Sequence, residues 1–175
     1  MNSTPLEIEY KFLIELPDLE VLSAQPDFCE KHLTQMYLAL PAELNEVSNR
    51  CRIRKTAEDG KVTFFKTFKK SLTDLTRVEI EEEIGEEEYT FLSRFILDET
   101  APVEKTRLTF TFEGFTLEVD IFPFWQDKAF LEIEVESEGI NPPIPPFIKV
   151  IKDVSADKTY RNFNLAKGIF KGTLI

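Results

Sequence analysis

Apolar and polar side chains alternate with period two over most of the chain, the mark of strands with two unlike faces. The run "PLEIEYKFLI" (5–14) predicts a first strand. Residues 17–32 read as short helices and turns, with Pro17 and Pro26 as helix starts. "LTQMYLAL" (33–40) predicts a second strand, stopped by Pro41. "EVSNRCRIRKT" (46–56) and "KVTFFKTFKK" (61–70) flank "AEDG", and Asp59-Gly60 predicts a hairpin between them. "LTRVEIEEEI" (75–84) is a fifth strand. The period then changes: apolar side chains at 91, 92, 95 and 96 predict a helix over 86–97, with three glutamates at its favoured N-terminal end. "PVEKTRLTFTF" (102–112) and "FTLEVDIFPF" (115–124) are two more strands meeting at Glu113-Gly114, and "KAFLEIEVES" (128–137) is the eighth. "NPPIPPF" reads as a rigid spacer loop. The tail from Ser155 predicts one capped helix, with Ser155 as N-cap and Gly168 as its end.

There is no βαβ rhythm and no Gly-rich phosphate loop. The expected fold is mainly β (α+β): an eight-stranded antiparallel sheet closed into a barrel or tunnel, with helices packed outside and a C-terminal helix. With no linker or repeat, residues 1–175 read as a single domain.

The contents of the polar faces are unusual. Glu7, Glu9 and Lys11 share a face, as do Gln35 and Tyr37, Arg52 and Arg54, and Thr67 and Lys69. So do Arg77, Glu79 and Glu81; Lys105 and Arg107; Glu118 and Asp120; and Glu132, Glu134 and Glu136. Opposite them stand Ile8, Cys51, Ile53, Phe64, Phe68, Val78, Ile80, Val119, Ile121, Ile133 and Val135. If the helices cover the apolar face from outside, the charged face lines the interior. Buried charges are costly unless they are paired or bind a ligand. Paired carboxylates such as Glu7/Glu9 and Glu132/Glu134 suit a hard cation, Mg²⁺ or Mn²⁺. Clustered Arg and Lys suit a polyanion, because the guanidinium fork matches phosphate oxygens. Together they are the equipment of phosphoryl transfer.

Composition narrows the reading. A net charge of -11 argues against a general nucleic-acid or anionic-membrane binder, and sixteen Phe supply a real core. Two cysteines, Cys29 and Cys51, make no disulfide framework. The N-terminus does not read as a signal peptide and no run of 18 apolar residues occurs, so a cytoplasmic protein is the expectation. His32, the sole histidine, lies away from the charged motifs and reads as structural or exposed. Phe124 and Trp125 read as packing.

The motifs then resemble a known family. "EIEYK" (7–11) is similar to its leading E-x-E-x-K signature, "RCRIRK" supplies R-x-R at Arg52 and Arg54, and "KTFKK" supplies T-x-K at Thr67 and Lys69. "TRVEIE" (76–81), "EKTR" (104–107), "LEVDIF" (117–122), "LEIEVES" (131–137) and "DKTYRNFNLAK" (157–167) follow in the family's order, and "TQMYL" (34–38) resembles its Q-x-Y-L. Over nearly the whole chain this resembles the CYTH superfamily, the triphosphate tunnel metalloenzymes, and most of all its small bacterial inorganic triphosphatases. Two departures stand out: Tyr10, where the family often has arginine, and Thr159, where its tail often has a basic residue.

The resemblance implies a tunnel in which Glu7 and Glu9 hold a divalent cation, with Glu132 and Glu134 as the other acidic side. Lys11, Arg52, Arg54, Lys69 and Arg107 would contact the triphosphate and carry catalysis. Lys105, Arg77 and Tyr37 would make further substrate contacts. Glu79 and Glu81 would orient basic residues or assist the metal, and Asp120 would ligate metal or hydrogen-bond a neighbour. Strand parity puts Lys66 outward and Lys69 inward. The implied activity is metal-dependent hydrolysis of the terminal phosphoanhydride of inorganic triphosphate or a related triphosphate. A class IV adenylate cyclase, a thiamine triphosphatase and a non-catalytic polyphosphate- or nucleotide-binding module are the alternatives. The expected partner is a triphosphate-bearing small molecule, with no nucleic acid or membrane; a homodimer is common among such proteins.

Overall fold

A computed structural model of the protein describes residues 6–39, 50–71, 76–137 and 139–173; the side chains of residues 6, 7, 50, 69–71, 76 and 77 lie outside that description. Nine strands form one antiparallel sheet: β1 (Leu6–Glu15), β2 (Cys29–Leu38), β3 (Arg50–Glu58), β4 (Lys61–Ser71), β5 (Thr76–Ile84), β6 (Val103–Phe112), β7 (Phe115–Ile121), β8 (Lys128–Glu134) and β9 (Val150–Asp153). Their order across the sheet is β5-β4-β3-β2-β6-β7-β8-β1-β9. Among the described residues, three α-helices accompany it: α1 (Leu19–Ser23), α2 (Glu86–Leu92) and α3 (Asn162–Lys171).

Local chemistry sets the two tightest connections. Asp59 and Gly60 join β3 to β4 with φ of 48° and 77°, and Glu113 and Gly114 join β6 to β7 with 49° and 82°. Positive φ at both central residues is the signature of the two-residue turn whose twist matches that of paired strands. These turns set registers that put Arg52 opposite Thr67 and Arg107 opposite Asp120.

The expectation of an eight-stranded closed barrel is corrected. The described residues form nine strands, and the sheet is not closed into a barrel. β5 touches β1 over only three residue pairs, Leu6↔Val78 to Ile8↔Thr76. Further along, the same side of β1 is taken by β9, paired from Phe12↔Asp153 to Ile14↔Val150 through a bulge. β1 therefore divides one edge between two strands, and the sheet curls on itself without a continuous seam.

The expectation that the helices pack outside holds only in part. On the outer face, Phe12, Ile14, Leu108, Phe110, Leu117, Leu131 and Ile133 pack with Leu22 of α1 and Ile148. Met36, Leu38, Cys51, Ile53, Phe64 and Ile84 pack with Tyr89 and Leu92 of α2. α3 lies elsewhere. Its Leu165 and Ala166 pack on Leu13, Tyr37, Val103, Phe122 and Phe130, which belong to the inner, charged face by strand parity. α3 thus closes one end of the trough with an apolar plug.

The tail also differs from one capped helix. Lys158–Tyr160 form a 3₁₀ turn, Arg161 is extended, and α3 runs on past Gly168 to a left-handed cap at Gly172, φ 65°. Ser155 caps no helix. Its Oγ accepts from the Lys11 N–H at 2.9 Å and donates to Asp153 Oδ1 at 2.7 Å, pinning the end of β9 to β1. Among the described residues, no helix is long and apolar enough to cross a membrane.

Candidate functional site: a charged cavity on the inner face

Period-two alternation carries the polar residues of eight strands, β1 to β8, onto one concave surface, around a cavity of about 320 Å³. Lys11, Tyr37, Arg52, Arg54, Lys105 and Arg107 line it together with Glu9, Glu132 and Glu134. The structure thus brings together nine of the residues singled out in the sequence. Asp120, fully buried, stands behind Lys105 and Arg107 as their shared partner. Glu7, Lys69 and Arg77 fall outside the described side chains. Their backbones place Glu7 opposite Arg77, and Lys69 between Arg50 and Glu79.

The cations form two groups, each held by carboxylates. On one wall, Arg107 Nε donates to Asp120 Oδ1 at 2.7 Å and its Nη2 to Asp120 Oδ2 at 2.8 Å and Glu132 Oε2 at 2.5 Å; Nη1 reaches Glu118. Lys105 donates to the same Asp120, and Lys11 Nζ sits 2.7 Å from Glu132 Oε1 and 4.1 Å above the Phe130 ring. On the other wall, Arg54 Nη2 meets Glu81 Oε1 at 2.8 Å, and Thr67 donates to the second Glu81 oxygen at 2.8 Å. Arg52 Nη1 donates to Gln35 Oε1 at 2.8 Å and Nη2 reaches Glu79 Oε1 at 3.3 Å.

Burial sharpens these charges. It would raise Glu132, but Lys11, Lys105 and Arg107 outweigh it and hold this carboxyl well below the usual range. Burial would lower Arg107, yet Asp120 and Glu132 hold it well above its ordinary value. Lys105 is pushed down to about 8, first by burial and then by Arg107. Arg54 is lowered by burial and by the adjacent Arg52, and Glu118 is raised by burial despite Arg107. The cavity holds buried ions paired largely with one another, with the cations crowded together, so a polyanion entering it would meet preorganised positive charge.

Several lining residues were not among the sequence candidates for the site. Gln35 and Thr67 were visible as inner-face residues by parity, and Glu118 by its alternation with Asp120. The tail adds Ser155, expected as a helix N-cap, and Asp157, Tyr160, Arg161, Asn162, Phe163 and Asn164, of which the likeness to a family segment gave a hint. Tyr37 meets Phe163 edge to face at 5.1 Å, so the hydroxyl-bearing ring lies between the cavity and the plug. Lys66 points outward, bound to Glu82 at 2.6 Å and to Glu88 of α2 at 2.8 Å. His32 is exposed, with ring nitrogens near Thr106 and Glu30. Trp125 packs on Phe122, Phe124 and Phe130.

Comparison with known proteins places this architecture. Residues 5–149 match the model of the CYTH domain. Over 105 residues the chain is 31% identical to an inorganic triphosphatase of Acetivibrio thermocellus, a match covering 60% of this chain and 66% of that protein, just short of two thirds. A crystal structure of the inorganic triphosphatase NE1496 superposes with a TM-score of 0.52 at 25% identity, covering 92% of this chain and 94% of that one. The PH1819 protein of Pyrococcus horikoshii OT3 superposes with a TM-score of 0.56 at 26% identity, over 75% and 80% of the two chains. With the family model spanning most of its length and the charged inner face that its motifs form, this chain belongs to the CYTH, or triphosphate tunnel metalloenzyme, superfamily.

Proposed function

We propose that this protein is a hydrolase that cleaves the terminal phosphoanhydride of inorganic triphosphate with the help of a divalent cation, Mg²⁺ or Mn²⁺. The observation that carries the reading is the convergence of Lys11, Arg52, Arg54, Lys105 and Arg107 on one enclosed cavity. Five cations from three separate stretches of chain match the repeated negative charge of a polyphosphate, and each charge-assisted contact adds to the grip. Membership of the family, and likeness to proteins named inorganic triphosphatases, support it.

Family membership implies dependence on a divalent cation. The donor chemistry fits: Glu9 and Glu134 are directly opposed in the β1–β8 register and both line the cavity, offering hard oxygen ligands. Among the described residues no group of three or more Asp, Glu, His or Cys converges as a cage. That suits Mg²⁺ or Mn²⁺ held by one or two carboxylates and completed by phosphate oxygens and water. We therefore give Glu9 and Glu134 the first role toward the cation, with Glu7 beside them on the strand. Glu132 and Asp120, already bound to Lys11, Lys105 and Arg107, chiefly hold those cations in place.

In the mechanism we infer, Lys11, Arg52, Arg54 and Arg107 exchange carboxylate partners for phosphate oxygens and align the chain. Lys105 adds charge at the deep wall, and Lys69 and Arg77 are carried by β4 and β5, two of the strands that border the site. A divalent cation held by Glu9 and Glu134 would supply charge neutralisation and water activation. The fixed guanidinium and ammonium groups stabilise charge gathering on the bridging and leaving oxygens as water attacks the terminal phosphorus in line. The depressed Glu132 is a poor proton acceptor, so it acts by orientation.

The test is product analysis with inorganic triphosphate, ATP and thiamine triphosphate as competing substrates. The highest kcat/KM for inorganic triphosphate, with release of orthophosphate, is the expected result. Cyclic AMP formation from ATP, or preference for thiamine triphosphate, would replace this reading with the corresponding one.

A further inference from the structure

Gln35 is 1% exposed, yet it lines the cavity from β2, opposite Arg54 of β3. Its Oε1 accepts from Arg52 Nη1 at 2.8 Å, while its Nε2 makes no hydrogen bond among the described residues. The orientation of the amide follows from that contact: turned over, Nε2 would face the Arg52 guanidinium, donor against donor. Arg52 therefore fixes the acceptor end, and the donor end is left buried without an acceptor. Leu33 and Tyr37, its neighbours on the same strand face, are buried too, so the position could hold an apolar group at no solvation cost.

Holding Arg52 does not by itself call for an amide. A carboxylate would bind the guanidinium more strongly, as Glu81 binds Arg54. It would also set a negative charge against any anion in the cavity. An amide combines an acceptor for Arg52 with a neutral donor for something rich in oxygen. Arg54 Nε, another buried donor with no acceptor among the described residues, belongs to a residue lining the same cavity, so Gln35 Nε2 is not alone there.

We propose that Gln35 is a substrate-contacting residue, locking Arg52 through Oε1 and donating from Nε2 to a phosphate oxygen of the bound polyphosphate. The proposal rests on the reading that the cavity takes a polyphosphate.

The experiment measures binding of inorganic tripolyphosphate by calorimetry with chelator present, so that turnover plays no part, in wild type, Gln35→Glu and Gln35→Met. Thermal unfolding of each variant is followed in parallel. Gln35→Glu keeps the acceptor for Arg52 and should retain the melting temperature, yet bind tripolyphosphate at least about 10-fold more weakly, because a charged-group hydrogen bond becomes a like-charge contact. Gln35→Met should also bind more weakly, which keeps the proposal testable if the glutamate variant folds poorly. Wild-type affinity in folded Gln35→Glu would overturn the role of Gln35 and leave the polyphosphate reading intact. No binding by the wild type itself would overturn both.

Discussion

At the level of single residues, the decisive property is which face a side chain occupies. Lys11 and Lys66 are both strand lysines with carboxylate partners, but Lys11 is 7% exposed inside the cavity and Lys66 ties β4 to α2 on the outside. Replacing Lys11 or Arg54 by Met should lower kcat/KM for inorganic triphosphate by about 100-fold or more, the size expected when one preorganised charge is lost from a transition state. Lys66→Met should leave it within about 2-fold and lower thermal stability slightly, as for a partly exposed ion pair. Equal losses at all three positions would contradict the face assignment. Glu132 gives a second prediction. Its folded pKa is depressed, so its contribution to stability is present above the ordinary carboxyl value of 4.5 and is lost as pH falls toward the folded value. Glu132→Gln should therefore be less stable than wild type by a margin that is constant from about pH 7 to about pH 5 and narrows at about pH 3.5, read by urea unfolding. A margin unchanged down to the acid end would contradict the assignment. Much of this was legible in the sequence, because strand parity alone sorts Glu9 and Lys11 from Tyr10, and Arg52 and Arg54 from Cys51 and Ile53. The partners were not legible. Nothing local says that Arg107 meets Asp120 and Glu132 together, or that Gln35 holds Arg52, since those contacts depend on register between strands.

At the level of elements, the turns at Asp59-Gly60 and Glu113-Gly114 announced their hairpins because positive φ has a residue signature. β9 announced little. It has four residues, all exposed, and its apolar Val150 and Ile151 are consecutive and show no alternation. The start of β2 at Cys29 was read as turn, since Cys29 to His32 lie at a sheet end with little burial to pattern them. The tail departs from a single capped helix for a long-range reason: the Ser155 hydroxyl that would cap a helix serves the backbone of Lys11, 144 residues earlier. α3 begins only after Arg161, where it can lay Leu165 and Ala166 over the inner-face aromatics. Leu165→Ala should cost about 2–5 kcal/mol of stability, as for a buried leucine in a packed site. Chemical denaturation checks this, and a loss below about 0.5 kcal/mol, the range of surface substitutions, would mean that α3 is not a packed plug.

At the level of the whole molecule, a chain with net charge -11 gathers its buried cations at one place. Its outer surface repels anions in general, while the cavity offers a polyanion charges already stripped of water and aimed. The alternating faces revealed that concave charged surface. They did not reveal how the sheet ends meet, because closure depends on which strands take the far edge of β1, and β5 and β9 share it with three residue pairs each. The apolar residues of α3 pack against the inner face beside the charged cavity. The most direct measurement is orthophosphate release from inorganic triphosphate by the purified protein, with Mg²⁺, with Mn²⁺, and with chelator. The account predicts steady turnover with either metal and loss of turnover with chelator, restored when metal is returned. Absence of turnover under all three conditions, with the protein folded, would contradict it.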